Sequence, residues 1–123
     1  MDHSEKFLKL VNEAKAQVRE VSVDELNARR EKGEEVLVID TREDHEWDRG
    51  HIPGAVHLSK GIIERDIENM VPDESREIIL YCGGGFRSAL AAEQLHRMGY
   101  TNVKSVAGGW RAWQAHGLPM EEG

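Results

Sequence analysis

The sequence predicts an α/β domain built on a parallel sheet with helices on both faces, and three observations carry that prediction. Four short apolar, β-branched runs recur along the chain: EVLVID (35–40), AVHLS (55–59), EIILY (77–81) and NVKSV (102–106). Helical patterns separate the later runs, and strands joined through helices pair in parallel. The runs are also continuous rather than alternating, which is the pattern of strands buried on both faces. In such a sheet ligands gather at the carboxyl ends of the strands.

The elements follow in order. Phe7, Val11, Ala14 and Val18 recur at helical spacing among Glu, Lys and Gln, predicting an amphipathic helix over 4–18. Residues 1–19 are therefore read as an N-terminal helical extension, and 20–123 as the main domain. A short strand around Val21 precedes Ser22-Val-Asp-Glu25, which has the Ser-x-x-Glu form of a capping box and starts a helix ending near Gly33. The turn GHIPGA (50–55) sets Gly and Pro just ahead of the AVHLS strand. A helix running from Ser88 needs a left-handed residue at Gly99, and Gly117 with Pro119 closes the last helix in the same way. Trp110 and Trp113, three apart, share a helix face and read as packing on the sheet.

Composition narrows the function classes. The 123 residues suit one domain. Sixteen Lys plus Arg against 23 Asp plus Glu give a formal charge of −7, which offers no electrostatic footprint for nucleic acid or an anionic membrane. An anionic substrate then needs a locally positive pocket. No apolar run is long enough to span a bilayer, and MDHSEKFLKL lacks the apolar core of a signal peptide, so a cytoplasmic protein is expected. One cysteine allows no internal disulfide and no cysteine-rich zinc site. His3, His45, His57, His96 and His116 form no ligand-like cluster, and neither a metal nor another cofactor is expected.

That single cysteine, Cys82, is the most informative residue. It ends EIILY, opens the loop CGGGFRS (82–88) and precedes the helix-like ALAAEQLHRMG (89–99). Gly83, Gly84 and Gly85 let the chain curl where other residues would resist, and the following helix start adds unpaired N–H donors with positive dipole character. A thiolate is stabilised in such surroundings, especially beside a cation such as Arg87. A core cysteine would need no run of three glycines after it.

The strings D-T-R-E-D-H-E-W-D-R-G-H-I-P-G-A (40–55), C-G-G-G-F-R-S (82–88) and S-V-A-G-G-W-R-A-W (105–113) together resemble the single-domain rhodaneses, which are sulfurtransferases. The likeness runs from about residue 20 to the C-terminus. It implies a five-stranded parallel sheet with helices on both sides, to which the N-terminal helix is an addition. It also implies that Cys82 forms a persulfide, drawing a sulfane sulfur from a small anionic donor such as thiosulfate and passing it to cyanide or a thiol. The loop Gly83, Gly84, Gly85, Phe86, Arg87 and Ser88 matches the segment whose amides surround the transferred sulfur.

The match departs from the family in one place. Many members carry arginine directly after the cysteine, where this chain has Gly83. Arg87 remains as the loop cation, its fork suited to a sulfonate-like group, with a tie to a local carboxylate as the other reading. Phe86 either shapes the pocket mouth or packs beneath it. Asp40 and Arg42 match the family's D-x-R pattern and are candidates to support the loop, or else form a structural ion pair. His51, in G-H-I-P-G-A, is read as architectural.

Two other functions fit parts of the pattern. Cysteine phosphatases and arsenate reductases also hold a thiolate in a loop ended by Arg, but they resemble C-x5-R, whereas four residues separate Cys82 from Arg87. The shorter cradle suits one sulfur better than a tetrahedral oxyanion. A persulfide carrier or regulatory module fed by a partner protein in a sulfur relay would keep Cys82 as well, with the N-terminal helix as a docking surface.

Overall fold

The computed structural model describes residues 3–122, so Met1, Asp2 and Gly123 of the two predicted segments lie outside the described residues. The elements are α1 (Glu5–Lys15), β1 (Arg19–Val21), α2 (Val23–Glu31), β2 (Val38–Asp40), α3 (Asp44–Asp48), β3 (Val56–His57), α4 (Ile63–Met70), β4 (Ile78–Tyr81), α5 (Phe86–Arg97), β5 (Val103–Val106) and α6 (Gly109–Ala115). The five strands form one sheet in the order β1-β5-β4-β2-β3, and every pairing is parallel.

Central strand β4 shows why its sequence is apolar throughout. Ile78 and Leu80 point into a core with Ile63 and Ile67 of α4 and Ala91, Ala92 and Leu95 of α5. Ile79 and Tyr81 point the other way, onto Val23 and Leu26 of α2 and Trp110 and Trp113 of α6. Both tryptophans are core residues, as the helical spacing predicts. Helices thus cover both faces, and the pleat sends successive side chains into two separate cores.

The local signals hold with shifted ends. The capping box is formed: Ser22 Oγ accepts from Glu25 N at 3.0 Å, and Glu25 Oε1 accepts from Ser22 N at 3.3 Å. Positive φ values at Gly33, Gly99 and Gly117 close α2, α5 and α6. The strands are shorter than the apolar runs, β2 covering only the last three residues of EVLVID, although Leu37 O still accepts from Ile79 N at 2.9 Å. Helix α1 ends at Lys15 rather than at Val18. Its Val11 and Ala14 are fully buried against Leu90 of α5, with Phe7 and Phe86 closing the cluster. The apolar face of α1 is therefore buried within the molecule, while Leu10 on the same helix stays exposed. No helix among the described residues is long and apolar enough to cross a membrane.

One charged cluster pins the opposite end of β4. Glu77 takes both terminal nitrogens of Arg29 from α2 and the Lys104 ammonium from β5. The Arg29 hydrogen bonds, resisted by partial burial and reinforced by Lys104, lower the Glu77 carboxyl to about 2 from its ordinary 4.5. A depressed carboxylate stabilises the fold above its unfolded pKa and ceases to do so as pH falls through the folded one. Allowing for solvent at this partly open site, Glu77→Gln should cost about 1–2 kcal/mol at pH 7. Urea unfolding of both proteins should show that difference intact at pH 6 and shrinking between pH 4.5 and 2. A gap independent of pH would contradict the ion-pair account.

Candidate active site

Strand β4 delivers Cys82 to the carboxyl edge of the sheet, between the ends of β2 and β5. Its side chain is 1% exposed. The chain turns at Gly85, whose φ of 91° is a left-handed value that favours glycine, and enters α5 at Phe86. The helix thus starts before Ser88, contrary to the expectation from sequence. Phe86, Arg87 and Ser88 form its first turn, and the Cys82 sulfur serves where a capping oxygen would stand. Sγ accepts from Gly85 N at 3.2 Å, from Ser88 N at 3.3 Å and from Ser88 Oγ at 3.5 Å. Ser88 Oγ is in turn 2.8 Å from Ser105 Oγ on β5, which fixes the hydroxyl.

Four further amides of this turn, those of Gly83, Gly84, Phe86 and Arg87, meet no acceptor among the described residues. Gly83, Gly84, Phe86 and Arg87 are all partly exposed. Two amides and one hydroxyl are thus spent on Sγ, and four neighbouring amides of the same partly exposed turn have no acceptor among the described residues. Such a nest, at the positive end of a twelve-residue helix, stabilises negative charge on Sγ and on an atom attached to it.

The carbonyl side of the loop is held by the segment 105–113, read above for its resemblance and for the packing of its two tryptophans. Trp110 N donates to Cys82 O at 2.7 Å and Arg111 N to Gly83 O at 2.9 Å. With those carbonyls drawn toward α6, the amides of the same peptides face away from it. The approach is close enough that a β-carbon on Gly109 would lie 2.3 Å from Cys82 O, and one on Gly85 would lie 3.1 Å from Gly108 N. Gly108 and Gly109 are therefore site residues that sequence reasoning missed. Their sequence signals are a glycine pair between a strand and a helix and a place in the string S-V-A-G-G-W-R-A-W, neither of which says that they approach Cys82.

Arg87 does not stand free as the anion-binding fork. Its Nη2 donates to Glu46 Oε2 at 3.1 Å and its Nη1 to Glu46 Oε1 at 3.4 Å, tying the loop to α3. Burial opposes the charge of Arg87, but the Glu46 hydrogen bonds, the Glu46 charge and more distant Cys82 and Glu43 outweigh it and hold the guanidinium above its ordinary pKa. The reason is simple: α3 sets a carboxylate beside the only cation of the loop, and a partly buried guanidinium is paired where a carboxylate is within reach. Glu46, 41 positions away in sequence, was not singled out.

Phe86 packs against α1 and also borders the loop, its ring edge 3.6 Å from where a β-carbon on Gly84 would stand. Its ring meets Phe7 at 6.2 Å and His3 at 4.6 Å between centroids, with the Lys15 ammonium 4.9 Å over its face. Asp40 and Arg42 form a buried pair, 0% and 4% exposed, that touches none of the donors around Sγ. Arg42 Nη2 also donates to Gly50 O at 2.7 Å, and its guanidinium lies 4.9 Å over the Trp110 ring. The pair therefore braces the residue whose amide holds Cys82 O. His51 is architectural: it stacks on Trp47 and its Nε2 lies 3.2 Å from Glu121 Oε1.

The family model for the rhodanese-like domain matches residues 22–116. The putative sulfurtransferase YtwF of Bacillus subtilis is 35% identical over 103 residues, covering 84% of this chain and 97% of that protein. The putative sulfur carrier protein YrkF of the same organism is 30% identical over 102 residues, covering 83% of this chain, which spans only 54% of that protein's length. Among solved structures, a Rhodopseudomonas palustris protein of unknown function, described as a possible tyrosine phosphatase, superposes with a TM-score of 0.87 at 27% identity over 98% of both chains.

Proposed function

Because this chain belongs to the rhodanese-like domain family, we propose that it is a sulfurtransferase working by double displacement through a persulfide on Cys82. The observation that carries the reading is the set of donors converging on Sγ, with free amides beyond them. In the first step the Cys82 thiolate attacks the outer sulfur of a sulfane donor such as thiosulfate. The new S–S bond forms as the bond to the sulfonate sulfur breaks, and sulfite leaves with the electron pair. In the second step a thiolate or cyanide attacks the outer sulfur of the persulfide and Cys82 thiolate departs. Splitting the transfer in this way is nucleophilic catalysis.

The amides have a different task at each stage. Gly85 N and Ser88 N hold the attacking sulfur, and the free N–H groups of Gly83, Gly84, Phe86 and Arg87 receive the outer sulfur as charge moves onto it. Two features weigh against phosphatase chemistry in this chain. The loop is one residue shorter than C-x5-R, and its Arg87 is engaged by Glu46.

The test is intact-protein mass spectrometry after incubation with thiosulfate and then cyanide. With one cysteine in the chain, a one-sulfur gain that iodoacetamide prevents can only reside on Cys82. The expected result is that gain, reversed by cyanide with thiocyanate appearing. Loading from a persulfidated protein but never from thiosulfate would replace the enzyme by a carrier fed by a partner, the function that YrkF's name describes. No loading from any sulfane donor would sink both.

A further inference from the structure

We propose that Arg111, on α6, is the residue that binds the anionic end of the sulfur donor, an assignment that rests on the sulfur-transfer reading above. Three observations lead to it. Gly83 leaves the position after the cysteine without a side chain. Arg87, the cation within the loop, is committed to Glu46 through both terminal nitrogens. Arg111 is exposed, and its side chain meets no carboxylate or other acceptor among the described residues. A β-carbon built on Gly84 would lie 3.6 Å from its Nη1, so the guanidinium rests against the middle of the loop.

The backbone fixes that placement. Arg111 N donates to Gly83 O at 2.9 Å, so the side chain starts from a point registered to the loop. Gly84 itself allows the approach by carrying no side chain between the guanidinium and the amides. Near the loop the charges then divide by role: Glu46 cancels Arg87, Lys15 sits over Phe86 on the α1 side, and Arg111 faces solvent on the α6 side. In a protein with a formal charge of −7, a cation without a carboxylate partner favours the approach of an anion, and Arg111, unlike Lys15 over the Phe86 ring, stands against the glycines of the loop. A planar fork suits the sulfonate of thiosulfate or the carboxylate of a thiol-derived persulfide equally.

The experiment compares wild type with Arg111→Gln, Arg111→Lys and Lys15→Gln. In thiosulfate:cyanide turnover, Arg111→Gln should raise the KM for thiosulfate about five- to tenfold with kcat nearly kept, as expected for one charge at close range in partly screened surroundings. Arg111→Lys should recover part of the loss. A second readout needs no sulfur transfer: the ratio of Cys82 alkylation rates by iodoacetate, an anion, and iodoacetamide, its neutral counterpart. That ratio should fall about threefold or more in Arg111→Gln and stay near wild type in Lys15→Gln.

A ratio unchanged by Arg111→Gln, or lowered equally by Lys15→Gln, overturns the assignment, as does an unchanged KM in an enzyme that turns over. So does a folded protein whose Cys82 neither reagent reaches, because an anionic donor would be shut out too. A lowered ratio in a protein that no sulfane donor loads would instead keep Arg111 as an anion-binding residue and remove sulfur transfer.

Discussion

Gly109→Ala is expected to slow sulfur loading of Cys82 by about a hundredfold and to destabilise the fold by about 2–4 kcal/mol. Gly109 has a φ of 52°, and an added β-carbon would lie 2.3 Å from Cys82 O and 3.1 Å from the carbonyl carbons of Cys82 and Gly83. These are backbone atoms that cannot swing aside as a side-chain end does. The chain must separate, breaking the hydrogen bonds from Trp110 N to Cys82 O and from Arg111 N to Gly83 O. Each is worth about 1 kcal/mol net, and left-handed alanine adds roughly 1 kcal/mol more.

The catalytic loss has its own cause, since those carbonyls set the direction in which the loop's amides face. Turning a preorganised donor away from developing charge costs about two to three powers of ten in rate. Gly33→Ala supplies the control. Gly33 also has a positive φ, 79°, but nothing lies within 4 Å of its would-be β-carbon. It should lose about 1 kcal/mol and keep full loading. Guanidinium titrations and mass-spectrometric loading rates on both variants decide the matter, and equal behaviour of the two would refute the close-contact argument.

What the sequence announces and what it hides divide along physical lines. Strands and helix starts are short-range facts: EIILY is apolar because both faces of β4 are covered, and Ser22 and Glu25 cap one another across three residues. The proposed nucleophile is marked in the same short-range way, as a cysteine followed at once by three glycines. The partners that orient it are long-range. Glu46 reaches Arg87 across 41 positions, and the Gly109 approach to Cys82 depends on where α6 meets the sheet. The start of α5 was misplaced because its cap is a sulfur, not one of the side-chain oxygens that mark helix starts in a sequence. The amphipathic pattern of α1 reveals an apolar face without naming α5 as the surface it packs on.

Asp40 and Arg42 pose the sharper question of whether the D-x-R pair serves the reaction or the fold, and Asp40→Asn answers it. Asp40 is fully buried and accepts the Arg42 backbone amide as well as its guanidinium. Burial works against the charge of Arg42, yet the Asp40 hydrogen bonds and charge hold its guanidinium above its ordinary pKa. Removing one partner of such a pair leaves a buried charge uncompensated, and Asp40→Asn should cost about 3–5 kcal/mol. Denaturant titration measures that loss. Sulfur loading per folded molecule should fall by less than about threefold, because neither residue hydrogen-bonds Cys82 Sγ or the amides around it, and the pair meets the site through its neighbours Trp110 and Tyr81. Arg42→Met in the Asp40→Leu background, which replaces both charges by apolar atoms, should then restore much of the stability lost in Asp40→Asn. If that double variant folds well but loads sulfur tenfold or more slowly, the bracing of Trp110 becomes part of how Cys82 is aimed. If it loads normally, the D-x-R pair is there to join β2, the Gly50 turn and α6, and the amide nest holds its shape without it.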